Sequence, residues 1–294
     1  MNYTEKGSKL YLFSIVLVAV IGGLLFGYDT AVISGAEKGL QAFFMGADFE
    51  YTDAIHGITS SSALIGCIIG SAVSGFFASG LGRKNSLFLA GILFFLSALG
   101  SYYPEFLFFE HGVPSYSLLV AFNFYRVLGG IGVGLASAIC PMYIAEIAPS
   151  NIRGTLVSWN QFAIIFGQLV VYFVNFLILG SHANPVIDLV NGVNQIMNPE
   201  AAAWTTETGW RLMFVSEAVP AGLFALLVLL VPETPRYLAM CGKDERALNV
   251  LSRINGASQA KVILAEIKAT TEEKTERLFT YGWMVIFIGI MLSV

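Results

Sequence analysis

The sequence predicts an all-α polytopic membrane protein. Hydrophobic residues make up 56% of the 294 positions and charged residues only 12%, whereas soluble proteins average about 25% charged residues. Six apolar runs are long enough to cross a bilayer core, which takes about 20 residues of helix. The net charge is -4 and the basic residues are scattered, so the chain offers no surface for nucleic acid and we expect membrane lipid around it.

The predicted spans, in chain order, define three parts of the protein. They cover residues 10–33, 57–80, 86–103, 117–143, 155–179 and 212–231. We expect a six-helix transmembrane bundle in residues 1–234, a helical linker in 235–277 and the start of a seventh span in 278–294. Because the seventh apolar run reaches the last residue, the chain is predicted to be truncated inside that span.

The linker is hydrophilic and predicts amphipathic helices. Segments 245–253 and 261–273 place apolar residues at helical spacing beside charged faces. Thirteen of the sixteen Lys and Arg lie in segments expected on the same side as this linker, and only Lys38 and Arg211 lie on the other side. Basic residues collect in cytoplasmic loops, so we expect a multi-pass protein of the plasma (inner) membrane with a cytoplasmic N-terminus.

Two charged residues of opposite sign fall inside apolar runs. Asp29 lies late in the first span and Arg126 about a third of the way into the fourth. These spans cross in opposite directions, so both residues belong to the outer half at similar height. An unpaired charge at that depth is costly, which favours an ion pair. The alternative is that Arg126 snorkels to the outer headgroups and leaves Asp29 to a hydroxyl or a water.

Small residues in the second and fourth spans predict close packing of transmembrane helices. Gly66 and Gly70 form a GxxxG pair, as do Gly130 and Gly134, and such pairs let helix backbones approach closely. The GGIGVG segment also resembles a dinucleotide-binding loop, but that fingerprint needs a soluble strand before it and a helix after it. Helix packing is therefore the better interpretation.

Polar residues in the fifth and sixth spans are candidates for a substrate cavity. Gln161, Gln168 and Asn175 recur every seven residues and so share a helix face. Amides both donate to and accept from the hydroxyl groups of a polar substrate, and the alternative is that they hydrogen-bond to neighbouring helices. Glu217 is a second intramembrane carboxylate, which either helps to bind substrate or bonds to a neighbouring helix.

Nothing in the sequence predicts a metal site, a cofactor or a catalytic centre. Cys67, Cys140 and Cys241 are far apart, and two of them lie in apolar runs. The three histidines fall in predicted outer loops without clustered carboxylates; they are His56, His111 and His182. We therefore expect no enzyme activity.

Four segments resemble the sugar porters of the major facilitator superfamily. They are GGLLFGYDTAVISGA at 22–36, GLGRK at 80–84, YIAEIAPSNIRG at 143–154 and PETPRYL at 232–238. The resemblance implies two six-helix halves that bind a monosaccharide between them and alternate access by rocking. The chain would then be the N-terminal half, and a separate C-terminal half is a candidate partner.

The resemblance also implies roles for single residues. Asp29 would be the proton-linked group, Arg126 its modulator, Gln161 and Gln168 hydrogen-bond donors to the sugar, and Phe26 a pocket residue. Passive facilitators of the family tend to carry an amide at the position of Asp29, so proton-coupled symport of a xylose-like sugar is the preferred function. The alternatives are a passive sugar facilitator and a sugar sensor without uptake.

A further set matches motif positions at or near the cytoplasmic gate, where ion pairs favour the outward-facing state. The set is Arg83, Glu146, Arg153, Glu217, Glu233 and Arg236. One departure from the family pattern is Ser79, which stands where an Asp is usual before the Gly-Arg pair. We therefore expect one gating ion pair to be absent or rewired.

Overall fold

The structure is a computed structural model that describes residues 7–47, 49–106, 112–180 and 203–272. The predicted start of the seventh span, His111 and His182 lie outside these residues. The helices are α1 Lys9–Met45, α2 Asp53–Gly80, α3 Arg83–Tyr102, α4 Tyr116–Ile147, α5 Arg153–Gly180, α6 Trp210–Val215, α7 Ala218–Leu230, α8 Pro235–Met240, α9 Asp244–Asn255 and α10 Ala257–Glu272. A π-helical turn, Thr205–Gly209, leads directly into α6.

Six helices within the described residues are long and apolar enough to cross a membrane, which confirms the predicted spans. They are α1 to α5 and the composite span Thr205–Leu230. The main difference in bounds is α1, which continues to Met45, beyond its predicted end at residue 33. Phe43 and Phe44 are buried there, and the Phe43 ring lies 5.6 Å from the Trp210 ring. Packing against α6, rather than bilayer thickness, extends this helix.

Polar caps explain where several helices begin. The hydroxyls of Ser8, Thr52, Ser115 and Thr234 each accept a hydrogen bond from the backbone N–H three residues later, which satisfies one free donor of the first turn. The start of α3 is different. Gly82 has a φ of 91°, and a Cβ there would lie 2.3 Å from the Glu233 carboxylate. Glycine is required at this turn by both its backbone and its neighbour.

The close helix packing predicted at the GxxxG pairs is confirmed, and the structure shows that the second and fourth spans are the two partners. A Cβ on Gly66 would lie 2.2 Å from the Val127 carbonyl oxygen, and one on Gly130 would lie 2.0 Å from that of Ala63. These distances are far below van der Waals contact, so the α2 and α4 backbones touch directly. A second glycine seam joins α1 to α5, where a Cβ on Gly27 would lie 1.8 Å from the Ile164 carbonyl oxygen.

The regular backbone hydrogen-bond ladder of the sixth span is interrupted between α6 and α7, although Ser216 and Glu217 keep helical dihedral angles, and we call this interruption the break. Pro220 has no N–H, so it cannot bond to the Ser216 carbonyl one turn earlier. The Ser216 hydroxyl also donates to the Met213 carbonyl at 2.5 Å, a back-bond that bends helices. Helix α7 therefore begins anew after Glu217, and the break lies at the level of the buried charges described below.

The linker forms the predicted amphipathic helices at the end of the bundle where α1 begins. Helices α9 and α10 pack against each other and against α8. The Ser8 N–H donates to the Arg253 carbonyl at 2.9 Å, and the Arg253 guanidinium lies 3.8 Å from the centre of the Tyr11 ring. The end of α9 is thus attached to the first turn of α1.

Candidate functional site

Asp29 and Arg126 form a buried ion pair. The Arg126 Nη1 donates to the Asp29 Oδ1 at 2.5 Å, and the side chains are 2% and 0% exposed. The second guanidinium nitrogen donates to the Asp29 carbonyl at 3.4 Å. Arg126 therefore points at α1 and not toward the headgroups, so the snorkelling alternative is wrong.

Glu217 belongs to this cluster, and its assignment to the cytoplasmic gate is wrong. It is 1% exposed, and its carboxyl group interacts with both Asp29 and Arg126. The break in the sixth span holds Glu217 at the depth of the ion pair, whereas the gate lies beyond the end of α7. Motif matching missed this because Glu217 and the PETPR segment are close in sequence but separated by the length of a membrane helix.

The cluster holds two carboxylates against one guanidinium. Asp29 Oδ2, Glu217 Oε1 and Arg126 Nε are buried and have no hydrogen-bond partner among the described residues. Two carboxylates at a shared site do not both ionise without a large cost, since like charges at low dielectric repel strongly. One guanidinium cannot neutralise both carboxylates, so Asp29 and Glu217 compete for Arg126.

The three amide side chains predicted to share one face of α5, those of Gln161, Gln168 and Asn175, lie in two different environments. Asn175 is buried and donates to the Val32 carbonyl of α1 at 3.4 Å, so the cavity interpretation is wrong for this residue. Seven residues of α-helix fall about 20° short of two full turns, which rotates Asn175 into the α1 seam.

Gln161 and Gln168 lie at the edge of that seam. Each follows a buried seam residue, Asn160 or Gly167, by one position, and is therefore about 100° further around the helix. Gln161 is exposed and Gln168 half-buried. Phe26 of α1 is half-buried against the inner apolar core. Both helices thus leave polar and aromatic groups partly open, and a role of these three residues in sugar binding stays a prediction.

At the linker end of the bundle, Arg83 and Glu146 form an ion pair with both side chains nearly buried. The Arg83 Nη2 and Nε donate to the Glu146 Oε1 at 2.7 and 3.2 Å. The other Glu146 oxygen accepts from the Thr234 hydroxyl at 2.6 Å. This one carboxylate joins α4 to the α2–α3 turn and to the start of α8.

Glu233 adds to this group of contacts through backbone N–H donors, and we call Arg83, Glu146 and Glu233 together the knot. Its carboxylate accepts from the N–H groups of Arg83, Lys84 and Thr234 at 2.9 to 3.2 Å. Burial raises the pKa of the Glu233 carboxyl, while the backbone donors and the Arg83 charge oppose that rise. Among the described residues, the Ser79 side chain bonds only to the Phe76 carbonyl of its own helix, and the expected change in one gating ion pair stays a prediction.

Arg153 and Arg236 lie outside the knot. Both line a cavity of about 420 Å³ between the cytoplasmic ends of α4 and α5 and the linker helices, together with Glu146 and Glu266. Arg153 donates to the Ala148 carbonyl at 3.4 Å. Their part in gating stays a prediction.

Replacing Glu146 should loosen the cytoplasmic end. Glu146→Ala removes the acceptor of Arg83 and Thr234, so we expect amide hydrogen exchange in residues 232–240 to become about tenfold faster, as the loss of charge-assisted hydrogen bonds implies. Glu266→Ala is the control, because Glu266 is exposed and lines the neighbouring cavity. Equal exchange in the two variants would contradict this role of Glu146.

A second buried ion pair, which sequence reasoning missed, joins Glu105 to Arg211 in the outer half. Two guanidinium nitrogens of Arg211 donate to the two Glu105 oxygens at 2.8 and 2.5 Å, and a third bond reaches the Tyr102 carbonyl at 3.1 Å. The guanidinium also lies 4.5 Å from the Trp210 ring centre. Arg211 was assigned to the outer side by charge counting alone, and nothing local pointed to a partner in the loop after α3.

This outer pair should make the protein acid-sensitive. Burial raises the pKa of Glu105, but the hydrogen bonds and charge of Arg211, with the backbone donors, outweigh it and lower the pKa. A carboxyl with a lowered folded pKa stabilises the fold above its unfolded pKa of about 4.3, and that stability is lost as the pH falls through the folded value. We expect the melting temperature to fall below about pH 4.

Glu105→Gln tests this interpretation. Leaving Arg211 buried without its carboxylate should lower the free energy of unfolding by about 3 kcal/mol at neutral pH and should flatten the acid limb of melting temperature against pH. Glu50→Gln, in an exposed outer loop, is the matched charge-neutralising control. An acid limb unchanged in Glu105→Gln would assign the acid sensitivity to another group.

No group of three or more His, Cys, Asp or Glu in the described part of the chain is arranged to hold a metal ion.

Comparison with known proteins places these features in a family. The family model described as "Sugar (and other) transporter" matches residues 15–294. The D-xylose-proton symporter of Escherichia coli (strain K12) is 46% identical over 97% of the chain, and the arabinose-proton symporter of Bacillus subtilis is 35% identical over 99%. The glucose facilitated diffusion protein of Zymomonas mobilis is 32% identical over 99%.

Solved structures agree with these relatives. The partially occluded, inward-open xylose transporter from E. coli superposes with a TM-score of 0.81 at 46% identity, covering 96% of this chain and 62% of that one. A major facilitator superfamily proton:xylose symporter bound to 6-bromo-6-deoxy-D-glucose gives a TM-score of 0.84 at 46% identity, covering 97% of this chain and 58% of that one. The chain spans 56% to 58% of the length of the three relatives above.

Proposed function

The chain belongs to the sugar transporter family, and on that premise we propose that it forms the N-terminal half of a proton-coupled monosaccharide symporter. The observation that carries the proposal is the buried cluster of Asp29, Arg126 and Glu217, in which one arginine faces two carboxylates. Ionisable groups in a membrane interior are expensive and mark ion or proton pathways. The sugar would be a pentose or hexose of the xylose type, as in the relatives.

The cluster suggests how a proton changes helix packing. With Asp29 ionised, Arg126 ties α4 to α1 through the 2.5 Å bond. A proton on Asp29 removes that attraction, and Glu217 then offers Arg126 the remaining negative charge on the sixth span. Protonation thus moves a favourable contact from α1 to the break before α7. A ligand or proton shifts a conformational equilibrium only by such a difference between two states.

The sugar would bind on the partly open face formed by α1 and α5. Gln161 and Gln168 would hydrogen-bond its hydroxyls and Phe26 would cover part of its ring, with the opposing wall supplied by a second six-helix half. The knot of Arg83, Glu146 and Glu233 would hold the cytoplasmic ends of the helices together while the outer side is open. The N-terminus would face the cytoplasm at the plasma (inner) membrane, in keeping with the distribution of basic residues.

Passive facilitation is the second candidate, favoured by the similarity to the glucose facilitated diffusion protein. The carboxylate at position 29 argues against it, because the family resemblance associates an amide there with passive transport. A sugar sensor without uptake ranks lower, since the linker segment described here is a compact helical layer attached to α1.

Sugar-driven proton movement distinguishes these functions. The protein to use is a completed transporter, in which residues 1–294 are joined to the second half of a full-length relative, beside the chain as given. In lightly buffered vesicles, adding xylose to a symporter should alkalinise the medium, whereas a facilitator takes up xylose without alkalinisation and a sensor binds it without uptake. Xylose uptake with no proton movement would overturn the proposed coupling, and a panel of pentoses and hexoses would identify the substrate.

A further inference from the structure

The residues directly before the two buried carboxylates are hydrogen-bonded to each other. The Tyr28 hydroxyl and the Ser216 hydroxyl lie 2.7 Å apart, and they precede Asp29 and Glu217 in the chain. Tyr28 is 2% exposed, within the outer apolar cluster that includes Phe122 and Phe214. Each of the two bonded residues directly precedes a carboxylate of the cluster. The bond therefore links α1 to the sixth span right beside the cluster.

The break in the sixth span makes such a connection necessary. An unbroken helix fixes the direction of each side chain through its backbone bonds, but Pro220 and the Ser216 back-bond interrupt that ladder just before Glu217. Rotation at the break would move the Glu217 carboxyl away from Asp29 and Arg126. The Tyr28 hydroxyl holds Ser216, and with it the following residue, at a fixed position relative to α1.

We infer that Tyr28 and Ser216 are positioning residues that keep Glu217 against the Asp29–Arg126 pair and so set the proton affinity of the cluster. The inference rests on the proposed function, and it adds two neutral residues to the coupling apparatus. With Glu217 close, two carboxylates share one arginine and the cluster retains a proton readily. With Glu217 displaced, Asp29 has Arg126 to itself and gives up its proton more easily.

The other groups that face the cluster do not supply this restraint. Asp29 and Tyr28 come from α1, Arg126 from α4 and Glu217 from the sixth span. From α2, the Cys67 thiol is close enough to interact electrostatically with Asp29. From α3, Ser97 approaches the cluster beside Gly129. Cys67 and Ser97 lie on helices that do not contain Glu217. Within the described residues, neither side chain is hydrogen-bonded to the break.

The test is the pH profile of proton-driven xylose accumulation by the completed transporter carrying Tyr28→Phe, Ser216→Ala or both. Each change deletes one hydroxyl and leaves the rest of the side chain. We expect the midpoint of the profile to move to lower pH, so that about threefold more protons are needed to reach it. A shift of this size corresponds to the loss of one hydrogen bond. The double variant should move no further than either single variant, because all three lack the same bond. Xylose exchange across the vesicle membrane, which needs no net proton transfer, should persist.

Two controls separate positioning from a general effect of lost hydroxyls. Tyr125→Phe deletes a hydroxyl from the residue next to Arg126, and the ring of Tyr125 packs on Gly100. Ser137→Ala deletes a hydroxyl that, among the described residues, bonds only within α4. Neither should move the midpoint. Unchanged profiles in Tyr28→Phe and Ser216→Ala, or shifts that add in the double variant, would overturn this inference alone. A parent transporter without pH dependence would overturn the proposed function and the inference together.

Discussion

Asp29→Asn should abolish uphill sugar accumulation while leaving sugar exchange in place. The amide keeps the shape of the side chain but cannot carry the proton, so a proton gradient no longer drives the helices from one packing to the other. In the completed transporter we expect xylose accumulation to fall at least about tenfold, to the level set by the sugar gradient alone, as removal of a central ionisable group implies. Exchange of internal for external xylose should continue, because a loaded carrier can reorient without releasing a proton.

Glu217 should keep the Asp29→Asn variant folded, so that its transport can be measured. Removing one partner of a buried ion pair ordinarily costs about 3–5 kcal/mol, because the other charge is left uncompensated. Here Arg126 keeps a second carboxylate in Glu217, so Asp29→Asn should fold. Asp29→Asn combined with Glu217→Gln leaves Arg126 with no carboxylate partner and should fold poorly. If the single variant still accumulates xylose as well as the parent, Asp29 is not the coupling group.

Gly70→Ala should disrupt the seam between α2 and α4. A Cβ on Gly70 would lie 2.3 Å from the Ile131 carbonyl oxygen of α4, and backbone on both sides leaves no side chain to move aside. We expect the free energy of unfolding, measured by titration of detergent-solubilised protein with a denaturing detergent, to fall by about 1–3 kcal/mol, the usual range for overpacking.

The matched control lies on the same helix. A Cβ on Gly75 would have nothing within 4 Å, and alanine is favoured over glycine in a helix by about 1 kcal/mol. Gly75→Ala should therefore be neutral or stabilising. Equal losses in Gly70→Ala and Gly75→Ala would mean that the α2–α4 seam is looser than these distances require.

Hydropathy and residue type were sufficient to predict the helical class, the six spans and close packing at the GxxxG pairs, but not that α2 packs against α4. The pairing of Asp29 with Arg126 also followed from sequence, because a charge in an apolar run has a depth and few possible partners. The extension of α1 to Met45 did not follow, since it depends on aromatic packing against α6 and not on composition.

The position of Glu217 shows where sequence reasoning stops. Its place in a motif suggested the gate, but the side chain is held deep in the membrane by a helix break that comes from Pro220 and a serine back-bond. The signal was present in the sequence as Ser-Glu followed by a proline three residues after the glutamate. Asn175 is the converse case, because a seven-residue period drifts around a real helix and carries the third amide into the α1 seam.

The protonation of Asp29 can be observed directly. Infrared difference spectroscopy of the protein between high and low pH reports the C=O stretch of a carboxylic acid that gains its proton in that interval, and the band can be assigned by comparing Asp29→Asn with Glu217→Gln. Our account predicts a titrating band that disappears in Asp29→Asn and shifts in Glu217→Gln. A band that is unchanged in Asp29→Asn would contradict it, because the proton would then reside on another group.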